Sequence, residues 1–195
     1  MIPESFKQSL SGIPWSRPED WQQMTEAVRQ HVVLQSRWES ARDTAGDIRY
    51  ELSRIFPVLD ELCRRSCPWC PDPCCLNARI WFDTRDLLFL HLSDQDIPQQ
   101  QPCSDRNHPC RYLGPRGCRL PKLSRPFTCT WFICPTQTSM LRRDPDLPAE
   151  DVIKGIQRIK TLRKQLASES GAEYIFLSSR LDNPSANLKC LTMER

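Results

Sequence analysis

The sequence predicts a mainly α-helical domain interrupted by an irregular, proline-rich cysteine segment at 67–135, which carries most of the cysteines. Apolar residues recur every three or four positions up to about residue 65 and again after residue 147, as on the buried face of a helix. Between residues 99 and 135 the chain has neither a helical nor an alternating period, and six prolines interrupt it. A length of 195 residues suits one domain, so we expect a single domain over 1–195.

Residues 19–65 carry the first helical pattern. The apolar positions that define it are Trp21, Met24, Val28, Val32, Trp38, Ala41, Ala45, Ile48, Leu52, Ile55, Leu59 and Leu62. Pro18 and the two acidic residues after it suit a helix start, because proline and carboxylates are both favoured in the first turn. Gly46 permits a break, and Pro57 should kink or restart the helix because it donates no backbone hydrogen bond. We therefore expect two or three helices here.

A short helix is expected after Asp83. Asp83 and Asp86 have the spacing of an N-cap residue and its partner in the first turn, and the apolar run from Leu87 to Leu90 follows them. This helix should end near Ser93, and the residues before it, 78–82, favour a short extended segment.

The last helical pattern covers 148–170. Its apolar positions are Val152, Ile153, Ile156, Ile159, Leu162 and Leu166. Gly171 is a typical stop, because glycine adopts the left-handed conformation that ends many helices. Beyond it, residues 174–178 suit a strand or a docked tail, and residues 182–195 suit a loosely ordered end.

Composition disfavours several function classes. The chain has no apolar run of about 18 residues, and its first ten residues lack the basic and apolar regions of a secretion signal. We therefore expect a cytoplasmic protein with no membrane segment. The six glycines form neither a GxGxxG motif nor a P-loop, so a nucleotide or adenosylmethionine site of the Rossmann type has no sequence support. In a reducing compartment, eleven cysteines favour metal binding over disulfide pairing.

The cysteine spacing indicates thiolate chemistry. Cys67 and Cys70 form a CxxC step, which lets two thiolates reach one tetrahedral ion from a tight turn. Cys74 and Cys75 follow, and adjacent side chains point in different directions. This pair is therefore easier to reconcile with two metal centres, or with one ligand and one neighbouring thiol, than with a single site. Eight thiolates would complete two four-cysteine zinc sites or two cubane iron-sulfur clusters, and the count does not choose the metal.

Basic residues accompany the second half of the cysteine segment. Residues 103–134 contain six Lys and Arg residues and one Asp, against a net charge of +3 for the whole chain. A zinc ion with four thiolates carries a formal charge of −2, as does an oxidised four-iron cluster, so nearby cations stabilise either group. A nucleic-acid footprint is the alternative. It is disfavoured because the net charge is modest and no known nucleic-acid-binding motif accompanies these residues.

Two cysteine runs resemble the YkgJ-like cysteine-cluster family, whose signature is written CxxCxxCC. The runs are CPWCPDPCC at 67–75 and PCRYLGPRGCRLPKLSRPFTCTWFIC at 109–134, and the second carries the family's Gly-x-Cys and Arg-Pro-x-x-Cys steps in approximate form. The first run departs from the signature by one extra residue, as CxxCxxxCC. The family is described as a zinc- or iron-chelating domain, so the resemblance implies zinc or an iron-sulfur cluster as cofactor. The ligands that it implies are Cys67, Cys70, Cys74, Cys75, Cys110, Cys118, Cys129 and Cys134.

Three function classes follow from the cysteine spacing and the family resemblance. The first is a cysteine-cluster metal-binding protein with a metal-stabilised fold, and the second is an iron-sulfur protein for electron transfer or sensing. A relative of the family, flagellin lysine N-methylase, carries a similar cluster and implies a methylase-like enzyme as the third. The sequence assigns no catalytic residue, leaves enzymatic activity undecided, and is compatible with a protein partner.

The other cysteines and the flanking aromatic residues have simpler interpretations. Cys63 and Cys190 have no spaced partner and are expected to be ordinary thiols, whereas the role of Cys103 is open. His108 can complete a site of three cysteines and one histidine, but a solvated loop histidine is the favoured interpretation. The aromatic residues near the cysteines are expected to dock the proline-rich segment on the helices; they are Trp69, Trp81, Trp131 and Phe132.

Overall fold

The described part of the protein is mainly helical, as the sequence predicts. The computed structural model describes residues 13–34, 38–105, 108–115 and 117–170. The helices are α1 (Pro18–Leu34), α2 (Glu39–Ser66), α3 (Cys74–Asn77), α4 (Thr84–Leu92), α5 (Phe127–Trp131), α6 (Pro135–Arg143) and α7 (Ala149–Glu169), and a small hairpin pairs β1 (Leu113–Gly114) with β2 (Gly117–Cys118). The interpretations of Gly171, of residues 174–178 and 182–195, and of Cys190 lie outside the described residues.

The apolar periodicity correctly identifies the core. The predicted positions of α1 and α2 are buried except Leu59, which is half-buried, and those of α7 are buried except Ile153. These residues form one apolar cluster together with the buried side chains of α4. The most extensive contact between two elements joins α2 to α7. We refer to α1, α2, α4 and α7, which share the apolar core, as the helical frame. The cysteine segment packs against this frame.

Helix α2 continues through both positions at which an interruption was expected. It runs without a break from Glu39 to Ser66, past Gly46 and Pro57. Pro57 is exposed, while Ile55 and Leu62 on either side of it are buried. The expected restart at Pro57 is therefore wrong, because the apolar stripe on both sides of the proline packs into the same core and this burial outweighs one lost hydrogen bond.

The closest approach of α2 and α7 requires a glycine. A Cβ atom added to Gly155 would lie 2.8 Å from Ile55 Cγ2. Ile55 is 3% exposed and β-branched, so its methyl group has little freedom to move aside.

We expect Gly155→Ala to destabilise the protein. Overpacking a core contact costs about 1–3 kcal/mol, which exceeds the gain of about 0.5–1 kcal/mol from replacing glycine within a helix. Gly46→Ala is the matched control, because no atom lies within 4 Å of the added Cβ. It should therefore raise the free energy of unfolding by about 0.5–1 kcal/mol. Urea unfolding of both variants measures the difference, and equal shifts would contradict the close approach.

The N-terminus of α4 has the predicted cap. The Asp83 carboxylate accepts a hydrogen bond from the Asp86 backbone N–H at 2.8 Å, and the Asp86 carboxylate accepts one from the Asp83 N–H at 3.0 Å. Residues 78–82 form no strand pair. Instead the buried Gln101 side chain accepts a hydrogen bond from the Phe82 N–H at 2.8 Å, which ties this stretch to the start of the proline-rich segment.

Helix α6 is absent from the sequence-based prediction. Cys134 caps it: the sulfur accepts a hydrogen bond from the Gln137 N–H at 3.5 Å, and the Gln137 side chain accepts one from the Cys134 N–H at 3.3 Å. Pro135 occupies the first turn, where its missing N–H costs little. The arrangement is a capping box in which cysteine stands in the place usually held by serine or threonine.

Among the described helices, none combines the length and the apolar composition that a bilayer-spanning segment needs.

Candidate metal centre

The first cysteine run forms two short turns directly after α2. Residues Cys67–Trp69 form a 3-10 turn that closes with a hydrogen bond from the Cys70 N–H to the Cys67 carbonyl, and Cys74 begins the four-residue helix α3. The side chains of Cys67, Cys70, Cys74 and Cys75 are all exposed. Prolines on both sides of these turns fix the backbone without using hydrogen-bond donors.

The later cysteines stand on separate small elements. Cys118 lies on β2, whose partner across the hairpin is Leu113. Cys129 lies within α5, and Cys134 is the N-cap of α6. Cys110 precedes the hairpin and receives a hydrogen bond from the Tyr112 backbone N–H. All ten cysteines of the described residues carry free thiols.

Four thiols from three parts of the chain gather at the end of α2, and we refer to them as the first thiol set: Cys63, Cys67, Cys74 and Cys134. Burial raises the pKa of Cys63, and the charge of Cys67 raises it further. The charges of Cys67 and Cys134 both raise the pKa of Cys74, after the larger effects of its hydrogen bond to Cys75 and of burial. These thiols therefore lie within electrostatic range of one another.

Gln137 occupies the centre of the first thiol set. Its side-chain amide nitrogen lies 3.5 Å from the Cys63 sulfur and 3.6 Å from the Cys67 sulfur, and it donates to Ser66 Oγ at 3.1 Å. Its backbone N–H donates to the Cys134 sulfur. Gln137 is 5% exposed. One buried residue thus gives N–H groups to three sulfurs, and N–H donors of this kind stabilise thiolates.

Four other thiols form the second thiol set: Cys75, Cys110, Cys118 and Cys129. Burial raises the pKa of Cys129, and the charges of the other three members raise it further. Burial also raises the pKa of Cys110, with smaller effects from Cys118 and Cys75. Cys129 is nevertheless solvent-accessible.

The adjacent residues Cys74 and Cys75 join the two sets. Their thiols are hydrogen-bonded to each other, and this bond lowers the pKa of Cys75 to about 6, with a further lowering effect of Arg125. The expectation that adjacent cysteines serve different centres fits their neighbours: Cys74 lies beside Cys67 and Cys134, and Cys75 beside Cys110 and Cys129.

Arg125 lies within electrostatic range of the second thiol set. Its Nε donates to the Leu120 backbone carbonyl at 3.0 Å, which fixes the loop before α5. Its charge lowers the pKa of Cys75 and opposes the rise in the pKa of Cys129. The basic residue therefore acts on the backbone and on the thiolates at once.

A buried ion-pair network holds α5 against the helical frame. The Arg163 guanidinium lies 2.7 Å from Asp86 Oδ1 and 3.2 Å from Asp83 Oδ1, and its side chain is 7% exposed. The Asp86 carboxylate also accepts a hydrogen bond from the Phe127 N–H at 3.2 Å, and Arg163 stacks 4.2 Å from the centre of the Phe127 ring. The network fixes Phe127, two residues before Cys129, to the N-terminus of α4 and to α7.

The other candidates lie apart from the two sets or have other partners. Cys103 is fully buried in a small apolar cluster with Ile13 and Trp81, against which Cys110 packs. The His108 ring lies 2.7 Å from the Asp105 carboxylate and is exposed. Trp81 is 2% exposed, but Trp69 is 84% exposed. The expectation that Trp69 docks on the helices is therefore wrong, because the 3-10 turn directs it to solvent.

Seven of the eight predicted ligands belong to the two thiol sets, and Cys70 does not. Among the described residues, the Cys70 side chain has no hydrogen bond, whereas the Cys63 sulfur accepts one from Gln137. The sequence offered a signal for Cys63, because it stands four positions, about one helical turn, before Cys67, which is the C-cap of α2. For Gln137, the signal is its position three residues after Cys134, which is the spacing of a capping box.

The thiols are neighbours without forming a closed coordination shell. Within residues 13–34, 38–105, 108–115 and 117–170, no three or more Cys, His, Asp or Glu side chains are drawn together closely enough to hold a metal ion. The donor set still fits a thiophilic ion, because each set supplies four sulfurs and has N–H or cationic groups beside it. Metal binding would therefore require side-chain movement.

No family model, curated protein or solved structure matches the chain. The YkgJ-like resemblance consequently rests on the two cysteine runs.

Proposed function

We propose that this chain is a cysteine-cluster metal-binding protein with two adjacent thiolate centres that hold zinc or iron-sulfur clusters. One observation carries the proposal: cysteines of residues 63–75 lie within electrostatic range of cysteines of residues 110–134. The second thiol set is the proposed second centre. The first centre contains Cys67, Cys74 and Cys134 together with a fourth thiol.

The surroundings of the sulfurs support this function. Arg125 stands beside the second thiol set, and Gln137 gives N–H groups to the first. Neighbouring thiols repel one another as they ionise, and the pKa of Cys74, raised mainly by its hydrogen-bonding interaction with Cys75 and by burial, is raised further by the charges of nearby cysteines. A bound cation removes that repulsion, so the same arrangement that is unfavourable for free thiolates favours a metal.

The metal would supply a cross-link between distant parts of the chain. The second thiol set joins α3 to the hairpin and to α5, and the first joins the end of α2 to the start of α6. A zinc ion would make this link purely structural, whereas an iron-sulfur cluster would add one-electron chemistry. In both cases the irregular segment gains the order that its own apolar burial does not provide.

The decisive measurement is anaerobic purification followed by metal and sulfide analysis. A colourless protein with stoichiometric zinc supports zinc centres, and a brown protein with iron, acid-labile sulfide and visible absorption supports iron-sulfur clusters. A protein that contains neither and does not bind added Zn²⁺ overturns the proposal.

Cys129→Ser should remove half of the bound metal. The charges of all other members of the second thiol set act on Cys129, so its loss would leave that centre with three ligands. The control is Cys190→Ser, at a cysteine that has no spaced partner in the sequence, and it should leave the metal content unchanged. Metal analysis of the purified variants measures the effect, and equal retention by both would contradict the second centre.

Two further expectations belong to the same proposal. Ten free thiols in the described residues are compatible with a reducing compartment, so we infer a cytoplasmic location. Methylase-like activity is supported by the family resemblance alone.

A further inference from the structure

The first centre needs a fourth ligand beside Cys67, Cys74 and Cys134, and the contacts of the neighbouring thiols indicate which cysteine it is. This inference rests on the proposed function. Cys70 has the CxxC spacing from Cys67, whereas Cys63 lies one helical turn before Cys67 in the last turns of α2. Spacing alone favours Cys70, so the contacts of the two side chains have to decide between them.

The contacts favour Cys63. The same amide nitrogen of Gln137 lies 3.5 Å from the Cys63 sulfur and 3.6 Å from the Cys67 sulfur. Two sulfurs within reach of one nitrogen atom are close enough for rotation of their side chains to bring both onto one ion.

The backbone conformation also favours Cys63 over Cys70. Cys63 and Cys67 are presented by consecutive helical turns, and α2 is anchored beside them by the fully buried Leu62. Cys70 follows the 3-10 turn in an extended conformation with φ −76° and ψ 120°, and its neighbour Trp69 points into solvent. A ligand on a rigid helix is better oriented than one on an exposed turn.

We propose that Cys63, and not Cys70, completes the first metal centre with Cys67, Cys74 and Cys134. Gln137 then acts as a positioning residue, because it donates N–H groups to three of these four sulfurs without binding the metal itself. The assignment replaces the CxxC step by a CxxxC step at the end of a helix.

The test compares Cys63→Ser with Cys70→Ser in the full-length protein. Each variant is loaded with Zn²⁺ under reducing conditions for metal analysis, and with Co²⁺, whose absorption intensity reports thiolate coordination. If the isolated protein holds iron, iron and sulfide are measured instead. Cys63→Ser should lose half of the metal and half of the thiolate-to-cobalt absorption, and Cys70→Ser should keep both. Both positions are exposed, which makes the two variants a matched pair.

A third variant guards against a folding defect. Cys63→His replaces the thiolate by an imidazole nitrogen, which also binds zinc, so this variant should retain nearly all of the metal. Its cobalt spectrum should be shifted because one thiolate is lost. Loss of metal from Cys70→Ser, or full retention by Cys63→Ser, overturns the assignment of Cys63 and leaves the proposed function intact. A wild-type protein that binds neither Zn²⁺ nor Co²⁺ overturns the proposed function itself.

Discussion

Arg163→Met is expected to destabilise the protein by about 3–5 kcal/mol. Arg163 is 7% exposed and Asp86 6% exposed, and the substitution leaves the Asp86 carboxylate buried without a cation, whereas Asp83 keeps its ion pair with Arg85. Removing one partner of a buried ion pair costs this much because the remaining charge has lost its solvation and gains nothing in return. Methionine keeps most of the side-chain volume, so the loss reports the charge. Urea denaturation followed by circular dichroism measures it.

Arg29→Met is the control for this prediction. Arg29 pairs with Glu26 at 2.7 Å, but both side chains are about half exposed. A surface pair of this kind contributes less than about 1 kcal/mol. Equal destabilisation by the two substitutions would contradict the view that burial makes the Arg163 network important. Arg163→Met should also weaken metal retention, because Asp86 and Arg163 both hold Phe127 near Cys129.

Removal of the metal should open the cysteine segment and leave the helical frame folded. The main apolar core is built from α1, α2, α4, α7 and residues next to them, together with Leu141 of α6, and the cysteine-bearing stretches 67–75 and 99–135 add only partly buried residues to it. A ligand present at 100 times its dissociation constant stabilises the bound state by about 2.7 kcal/mol, so tryptic cleavage of the segment should accelerate about 100-fold when the metal is withdrawn. The accessible cleavage points include Arg119 and Lys122.

Limited proteolysis with and without a chelator, alongside far-ultraviolet circular dichroism, checks this expectation. Helical signal should persist while the segment is cut. If chelation abolishes the helical signal as well, the frame and the segment fold as one unit and the prediction fails. If chelation changes neither measurement in a protein shown to hold metal, the metal does not support the segment.

Sequence periodicity predicted the helical frame because the buried positions of a helix recur every three or four residues. Trp21, Ile48 and Ile159 occupy positions that only a helix brings to one side, and each is buried. The Asp83 cap was predictable for the same local reason, since donor and acceptor lie within one turn. Pro57 was misjudged because its local cost is smaller than the burial of the apolar stripe that continues on both sides of it.

The site was less predictable because its contacts join residues distant in sequence. Gln137 meets Cys63 and Cys67 across more than 60 residues, and spacing rules compare only neighbours along the chain. Arg163 shows the same limit. It falls on the apolar face of α7 between Ile159 and Leu166, which indicates a buried charge, but its carboxylate partners on α4 are visible only in the folded chain.

The exposed indole of Trp69 gives the protein a built-in optical probe. It stands two residues from Cys67, while Trp21, Trp38 and Trp81 are nearly inaccessible. Emission from a solvated indole lies to the red of emission from buried ones and is quenched by nearby paramagnetic ions. Arrival of a cation at the end of α2 can therefore be followed by fluorescence in the unlabelled chain.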